Sequence, residues 1–140
     1  MMTNRFVVDT NIIVSALLMP NSVPAVALRL VRRIGIILQS QATIDELNRV
    51  LHHKKFDKYI AESDRIEFLT KFTKQAEFVE VHHTVTICRD PNDNKFLELA
   101  LSGSATLIVS GDNDLLVLSP FHEIIVMPPV RFIEHYDTTI

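Results

Sequence analysis

Carboxylate side chains follow two short apolar runs of this sequence, at the points where buried strands would end. Asp9 comes directly after Phe6-Val7-Val8, and Asp112 and Asp114 follow the run at 106–109. Short apolar runs with β-branched residues are typical of buried strands. In open α/β sheets, ligands bind outside the carboxyl ends of the strands. These three acids are therefore well placed for chemistry on a bound ligand.

Three more acids could join them from neighbouring elements. Asp90 and Asp93 lie in a polar loop that leads into a helical pattern, and Glu46 lies inside a helix after the second strand. Crossovers between parallel strands bring all the carboxyl ends of the strands to one edge of the sheet. Carboxylates from distant parts of the chain should therefore converge at that edge. Glu46 joins them if its helix packs across it.

Carboxylates that crowd together repel one another, and some stay protonated unless a cation binds between them. Hard oxygen ligands of this kind suit Mg²⁺ or Mn²⁺. A pair of such ions can activate water and stabilise the leaving oxygen in phosphodiester cleavage. With a cation bound, an acidic site can also accept a polyanion, so the cluster is compatible with action on nucleic acid.

Strands and helices alternate along the chain, which predicts a mostly parallel sheet covered by helices on both faces. We expect strands at 6–8, 36–38, 106–109 and 123–126, with a minor strand at 79–81. We expect helices at 12–19, 24–34, 40–51, 63–78, 93–102, 115–118 and 130–135. In this arrangement the strands deliver the acids to one edge, and the helices cover the apolar faces.

Two of these helices carry recognisable start signals. Ser40 is a good N-cap for the helix at 40–51. Asp64 and Glu67 have the spacing of a capping box at the start of the helix at 63–78. Four residues of that second helix should face the core, namely Ile66, Leu69, Phe72 and Ala76.

The composition is that of one ordinary globular domain over residues 1–140. The chain is 47% apolar and 22% charged, and its formal net charge is −3. A strongly basic chain would indicate nucleic-acid binding through its overall charge. In this chain, any binding of nucleic acid must instead come from a local basic patch or from bound cations. The single cysteine, Cys88, excludes an internal disulfide and suits a reducing cytosol. No apolar run approaches the roughly 18 residues of a membrane span, so we expect a cytoplasmic protein without a membrane segment.

Four segments together resemble the PIN domain family of ribonucleases, and within it the VapC-like toxins of toxin–antitoxin pairs. The matching segments are Val7–Leu18, Thr43–Leu51, Arg89–Ala100 and Ile108–Leu116. Each motif alone is weak, but their order and spacing are quite specific. The resemblance extends from Arg5 to about Ile133, which is nearly the full length.

The resemblance implies a three-layer α/β/α sandwich and cleavage of single-stranded RNA that depends on Mg²⁺ or Mn²⁺. It implies a small antitoxin protein as a partner and makes a homodimer plausible. It also implies that the strand before Asp9 is central in the sheet. The implied catalytic and metal-binding acids are Asp9, Glu46, Asp93 and Asp112, with Asp114 as a further ligand. The implied supporting residues are Asn11 and Ser110, which would hold the carboxylates or the water.

Two of these assignments have close competitors in the sequence. Only the resemblance selects Glu46 over the adjacent Asp45, which points about 100° away around the helix. The third motif of the family often reads Asp-Pro-Asp-Asp, whereas this chain has Asn92 at the third position of that motif. Asp93 matches because it opens the helix, but Asp90 could share its role.

Two other functional classes compete with a nuclease. A catalytically silent binding or regulatory module could keep the same fold, although a silent copy should lose some of the four acids. An aspartyl phosphatase typically has an Asp-x-Asp pair after the first strand, and here Asn11 replaces the second acid. With only three glycines, the chain has neither a P-loop nor a dinucleotide-binding motif.

Overall fold

The apolar run before Asp9 forms the central strand of a parallel sheet. The computed structural model describes residues 4–137. The strands are β1 (Asn4–Val8), β2 (Gly35–Gln39), β3 (Glu77–Phe78), β4 (Leu107–Val109) and β5 (Ile125–Met127). They form one five-stranded sheet in the order β3-β2-β1-β4-β5. Each neighbouring pair is parallel, as the alternation of strands and helices predicts.

Helices connect the strands along the chain. They are α1 (Thr10–Leu18), α2 (Val23–Ile34), α3 (Gln41–Leu51), α4 (Glu62–Gln75), α5 (Asn94–Ser102), α6 (Asn113–Leu116) and α7 (Pro129–Tyr136). Short 3-10 turns precede two of them, at Lys54–Phe56 and Pro91–Asp93. Among the helices of residues 4–137, none is by itself long and apolar enough to cross a membrane, and only the bent pair α1 and α2 would pass together on length and composition.

Two apolar clusters lie on opposite faces of the sheet. Phe6 and Val8 of β1 pack in one cluster with residues of α1, α2, α3, α4 and α7. Val7 lies in the other cluster, with residues of α5 and α6. Because side chains alternate along a strand, successive residues of β1 supply both faces. The fold is therefore the predicted three-layer α/β/α sandwich.

The caps of α2 and α3 explain why these helices begin where they do. Ser22 precedes α2 and accepts a hydrogen bond from the backbone N–H of Ala25, with Pro24 in the first turn. Ser40 caps α3 and forms a reciprocal capping box with Thr43. Each cap satisfies N–H groups that have no partner inside the helix.

The region around α4 differs from the prediction at both ends. The helix begins after Ala61, so the expected capping box of Asp64 and Glu67 does not mark its start. It ends at Gln75, because the following residues pair with β2 as strand β3 instead of continuing the helix. The minor strand therefore lies at 77–78 and not at 79–81. Ile66, expected to face the core, is 51% exposed.

The last strand is also displaced from its predicted position at 123–126. His122 and Glu123 both have positive φ and form a tight turn, closed by the antiparallel bridge between Phe121 and Ile124. The strand can begin only after this turn, at Ile125. In β5 the pairing with β4 then places Val126 opposite Ile108.

Candidate metal centre

Asp9 and Ser110 lie side by side because their strands are neighbours. β1 and β4 pair in register, with Val8 opposite Val109, so the next residue of each chain segment emerges at the same sheet edge. The Ser110 hydroxyl donates a hydrogen bond of 2.6 Å to Asp9 Oδ2. The backbone N–H of Asn11 donates to Asp9 Oδ1 at 3.3 Å, so Asp9 also caps α1. Both carboxylate oxygens are thus held, and Asp9 is only 7% exposed.

The turn after β4 positions the next acid. Ser110 Oγ accepts a hydrogen bond of 3.0 Å from the backbone N–H of Asp112. Asp112 in turn caps the short helix α6, since its Oδ1 accepts from the backbone N–H of Asp114 at 2.9 Å. One buried hydroxyl therefore links Asp9 to the turn that carries Asp112. Ser110, proposed as a supporting residue, thus contacts both acids.

Three acids approach one another closely at this edge. Asp93, Asp112 and Asp114 each place a carboxylate oxygen within 4.8 Å of the other two. Asp93 Oδ2 is buried and, among the residues described, has no hydrogen-bond partner. Burial, as the largest cause, and the charge of Asp112, together with the hydrogen bond that a protonated Asp93 can donate to it, raise the pKa of Asp93 to about 7. The ionised carboxylate has no such bond, so its Oδ2 is left without a partner in the part of the chain that the structure describes. Burial likewise raises the pKa of Asp9.

This arrangement fits a divalent metal ion. A buried carboxylate oxygen without a partner is costly, and a cation would satisfy it. The donors are hard oxygens, which suit Mg²⁺ or Mn²⁺ and disfavour soft metals. Burial and neighbouring carboxylates raise the pKa values of Asp9 and Asp93 because both disfavour the ionised form. A bound cation would favour that ionised form.

Glu46 reaches the same edge from α3, but both its oxygens are engaged. Oε2 accepts a hydrogen bond from the Thr10 hydroxyl, and Oε1 accepts one of 2.8 Å from Lys95 Nζ. Arg49 Nη2 lies 3.9 Å from the same Oε1. Glu46 is close enough to Asp9 to contribute to the raised pKa of that group. Glu46 therefore belongs to the acidic edge, and its negative charge is paired with the ammonium group of Lys95.

The competing acids have other surroundings. Asp45 is exposed and accepts a hydrogen bond of 2.9 Å from the side chain of Gln41. Asp90 is exposed too, and caps the 3-10 turn by accepting from the backbone N–H of Asn92 at 3.0 Å. Asn11 contacts Asp9 through its backbone, while the residue itself is exposed. Asp45 therefore has a partner outside the cluster, whereas Asp90, although it caps the turn, is close enough to Asp93 to contribute to its raised pKa. Glu46 and Asp93 remain the proposed acids.

Three basic residues at the site were missed by the sequence analysis. Lys95 pairs with Glu46, Arg49 lies beside that pair, and Arg89 forms a two-point ion pair with Asp114 at 3.0 and 3.2 Å. Their spacing gave a signal, because Arg49 follows Glu46 by one helical turn and Lys95 follows Asp93 by two residues. Hydrogen bonding by Thr10 had no such signal in the sequence.

A parallel α/β/α sandwich with carboxylates gathered at the carboxyl edge of its central strands defines a class of acid-cluster proteins. The family model described as PIN domain matches residues 5–114, and the chain belongs to the PIN domain family. PIN domains are generally metal-dependent nucleases, so this membership supports a nuclease role in general.

The chain is also similar to known proteins in sequence and in structure. The chain is 30% identical over 146 aligned residues to the uncharacterized protein MJ1680 of Methanocaldococcus jannaschii, covering 97% of this chain and 94% of that protein. The structure of VapBC2 from Rickettsia felis, bound to a DNA fragment from their promoter, aligns with a TM-score of 0.61 and 16% identity, over 89% of this chain and 98% of that one. PAE2754 from Pyrobaculum aerophilum aligns with a TM-score of 0.59 and 15% identity, over 94% and 90%. The two structural likenesses show the fold.

Proposed function

We propose that this protein is a metal-dependent endoribonuclease that hydrolyses phosphodiester bonds of single-stranded RNA, and that it is the toxin of a toxin–antitoxin pair. The observation that carries the proposal is Asp93 Oδ2, a buried carboxylate oxygen without a partner among the described residues, beside Asp112 and Asp114. The choice of single-stranded RNA rests on the resemblance of the four motifs to the family.

Asp9, Asp93 and Asp112 are the proposed ligands of Mg²⁺ or Mn²⁺, with Asp114 as a further one. The ion, when bound, would polarise a phosphoryl oxygen and lower the pKa of water for attack. The Ser110 hydroxyl holds Asp9 in a fixed orientation, which lowers the cost of organising the site when the substrate arrives. Glu46 is the fourth proposed catalytic acid. The resemblance implies it as a metal ligand too, whereas in the structure its two oxygens accept hydrogen bonds from Thr10 and Lys95.

Basic residues at the rim support a polyanionic substrate despite the net charge of −3. Arg89 is 86% exposed in its side chain and pairs with Asp114. Arg49 is 68% exposed and lies near Glu46. Such exposed guanidinium groups can bind phosphates of a nucleic-acid backbone.

The proposed partner is a small antitoxin protein, and the proposed assembly is a homodimer in the cytoplasm. The antitoxin is supported by the structural neighbour from Rickettsia felis, which is a VapBC2 assembly. Copurification with the product of an adjacent small reading frame tests this partner. Recovery of this protein alone, after coexpression with that product, would speak against the toxin assignment.

Cleavage of a labelled single-stranded RNA tests the activity. Purified protein should cleave the RNA in the presence of Mn²⁺, and EDTA should abolish the cleavage. The Asp9→Asn and Asp93→Asn variants should lose the activity. Asp45→Asn is the matched control, because this exposed acid lies beside Glu46 and should leave cleavage intact. Equal activity in Asp9→Asn, or in EDTA, would refute the metal mechanism. Absence of cleavage despite bound Mn²⁺ would favour the silent binding module.

A further inference from the structure

Glu46 is paired with a cation that is largely buried, whereas the cation paired with Asp114, Arg89, is 86% exposed. Lys95 Nζ lies 2.8 Å from Glu46 Oε1, and the two side chains are only 17% and 13% exposed. The Thr10 hydroxyl donates a hydrogen bond to the other oxygen, Oε2. A partly buried ion pair of this kind is costly to break from one side, because the remaining charge would be left without a partner.

The acidic edge therefore has two unlike halves. In the half formed by Asp93, Asp112 and Asp114, carboxylate oxygens face one another, and one buried oxygen has no partner among the residues described. In the half around Glu46, the negative charge is balanced by Lys95, with Arg49 at 3.9 Å. A divalent ion is attracted to the first half and repelled by the ammonium group in the second.

We propose that Lys95 supplies beside Glu46 the positive charge that a second metal ion would otherwise bring, so that the site binds one divalent ion per chain. This inference rests on the proposed metal-dependent function. Two-metal sites place their ions about 3.5–4 Å apart, each among ionised ligands. Here the ammonium group of Lys95 takes the place of the second ion, and Glu46 binds that group instead of a metal.

The position of Lys95 also suits a contact with the substrate. It lines a cavity of about 340 Å³ together with residues of the α3 N-terminus, of β3 and of the segment after β3, and two acids, Glu80 and Glu98, lie in the same lining, so that Lys95 is its basic residue. An ammonium group has three N–H donors, and the bond to Glu46 uses one of them. The remaining donors are available for a phosphate oxygen of a strand that lies across the site. Lys95 is thus a binding and positioning residue.

Titration of the metal-free protein with Mn²⁺, followed by electron paramagnetic resonance of the free ion, tests the inference without using activity. The wild type should bind one Mn²⁺ per chain. The double variant Glu46→Gln/Lys95→Met removes the pair as a neutral unit, so it should bind one Mn²⁺ with an affinity within about threefold of the wild type. Lys95→Met alone leaves Glu46 free and should bind a second Mn²⁺. Lys74→Met, which removes an exposed lysine of α4, is the matched control and should bind one.

Three results would overturn the inference. They are two Mn²⁺ bound by the wild type, one Mn²⁺ bound by a folded Lys95→Met, and an affinity loss of about tenfold or more in the double variant, which would show that the pair contributes to metal binding. Lys95→Gln keeps a hydrogen bond to Glu46 without the charge, so it provides a second test if Lys95→Met does not fold. If the wild type binds no Mn²⁺ at all, the proposed metal-dependent function itself fails.

Discussion

Replacing Asp93 by Asn in the metal-free protein should remove most of the pH dependence of its folding stability between about pH 4 and pH 7. Burial and the neighbouring carboxylates raise the pKa of Asp93 from its usual 3.8 to about 7. Between these values the folded chain binds a proton that the unfolded chain has released. Stability must therefore fall as the pH rises through this window, since proton binding favours the folded state.

The size of the effect follows from the size of the shift. A pKa change from 3.8 to about 7 corresponds to about 4 kcal/mol if it were expressed fully in stability. Water reaches part of the Asp93 carboxyl group, and screening by solvent reduces such effects, so we expect a loss of about 1–2 kcal/mol. The pKa of Asp9 is raised in the same direction, mainly by its burial, so a smaller slope should remain in the variant.

Urea unfolding in EDTA at several pH values between 4.5 and 8 measures this slope. The difference between wild type and Asp93→Asn reports the titration of Asp93 together with the change that its removal causes in the neighbouring carboxylates, while distant titrating groups cancel. Above pH 7 the variant should be the more stable protein. Asp45→Asn, at an exposed acid that pairs with Gln41, should keep the wild-type slope.

Mn²⁺ should reverse the trend in the wild type. The metal binds the deprotonated carboxylates of the folded chain, so the stabilisation it gives should increase with pH. In Asp93→Asn this gain should be much smaller. A wild-type stability that is flat or rises with pH in EDTA, or a variant with the full wild-type slope, would refute the assignment of Asp93 as the buried acid of the cluster.

Three further substitutions test the support of the site and of the fold. Ser110→Ala removes a fully buried hydroxyl that donates to Asp9, and should cost about 1–3 kcal/mol in urea unfolding as well as most of the RNA cleavage; unchanged cleavage would show that Asp9 needs no orientation. Arg89→Gln breaks the exposed pair with Asp114, and should leave the unfolding midpoint unchanged while weakening RNA binding and lowering its salt dependence by about one phosphate contact; a salt dependence equal to that of the wild type would place the RNA elsewhere. Phe132→Ala empties a fully buried position of α7, and should cost about 3–5 kcal/mol; a cost below about 1 kcal/mol would mean that α7 contributes little to the core.

The start signals of some helices were readable from local chemistry, and those of others were not. Ser40 caps α3 as predicted, because its hydroxyl and Thr43 form a capping box that needs only neighbouring residues. The end of α4 was not readable in this way. Residues 77–78 do not continue the helix because they pair with β2 as a strand. Since β2 lies far away in the sequence, local residues do not predict this pairing.

The candidate site shows the same division. The placement of Asp9 and Asp112 after apolar strands was evident from the sequence, since parallel strands end at a common edge whatever their exact register. The proposal of Asp93 over Asp90 gains a physical reason from the structure, where Asp93 is half-buried beside Asp112 and Asp114, while Asp90 is exposed and caps a turn. The resemblance to the family had selected the same residue, but the motifs alone gave no physical reason.

The sequence by itself determined the order of strands and helices, the parallel sheet, the acids at its edge and the family. These features depend on periodicity, local capping and residue type, which a single chain displays directly. Only the tertiary structure decided which charges meet. Lys95 and Glu46 are 49 residues apart and form an ion pair of 2.8 Å, while Ser110 reaches Asp9 across 101 residues. Such contacts depend on how α3 and α5 cross the sheet edge and on the register of β1 with β4, which spacing along the chain does not encode.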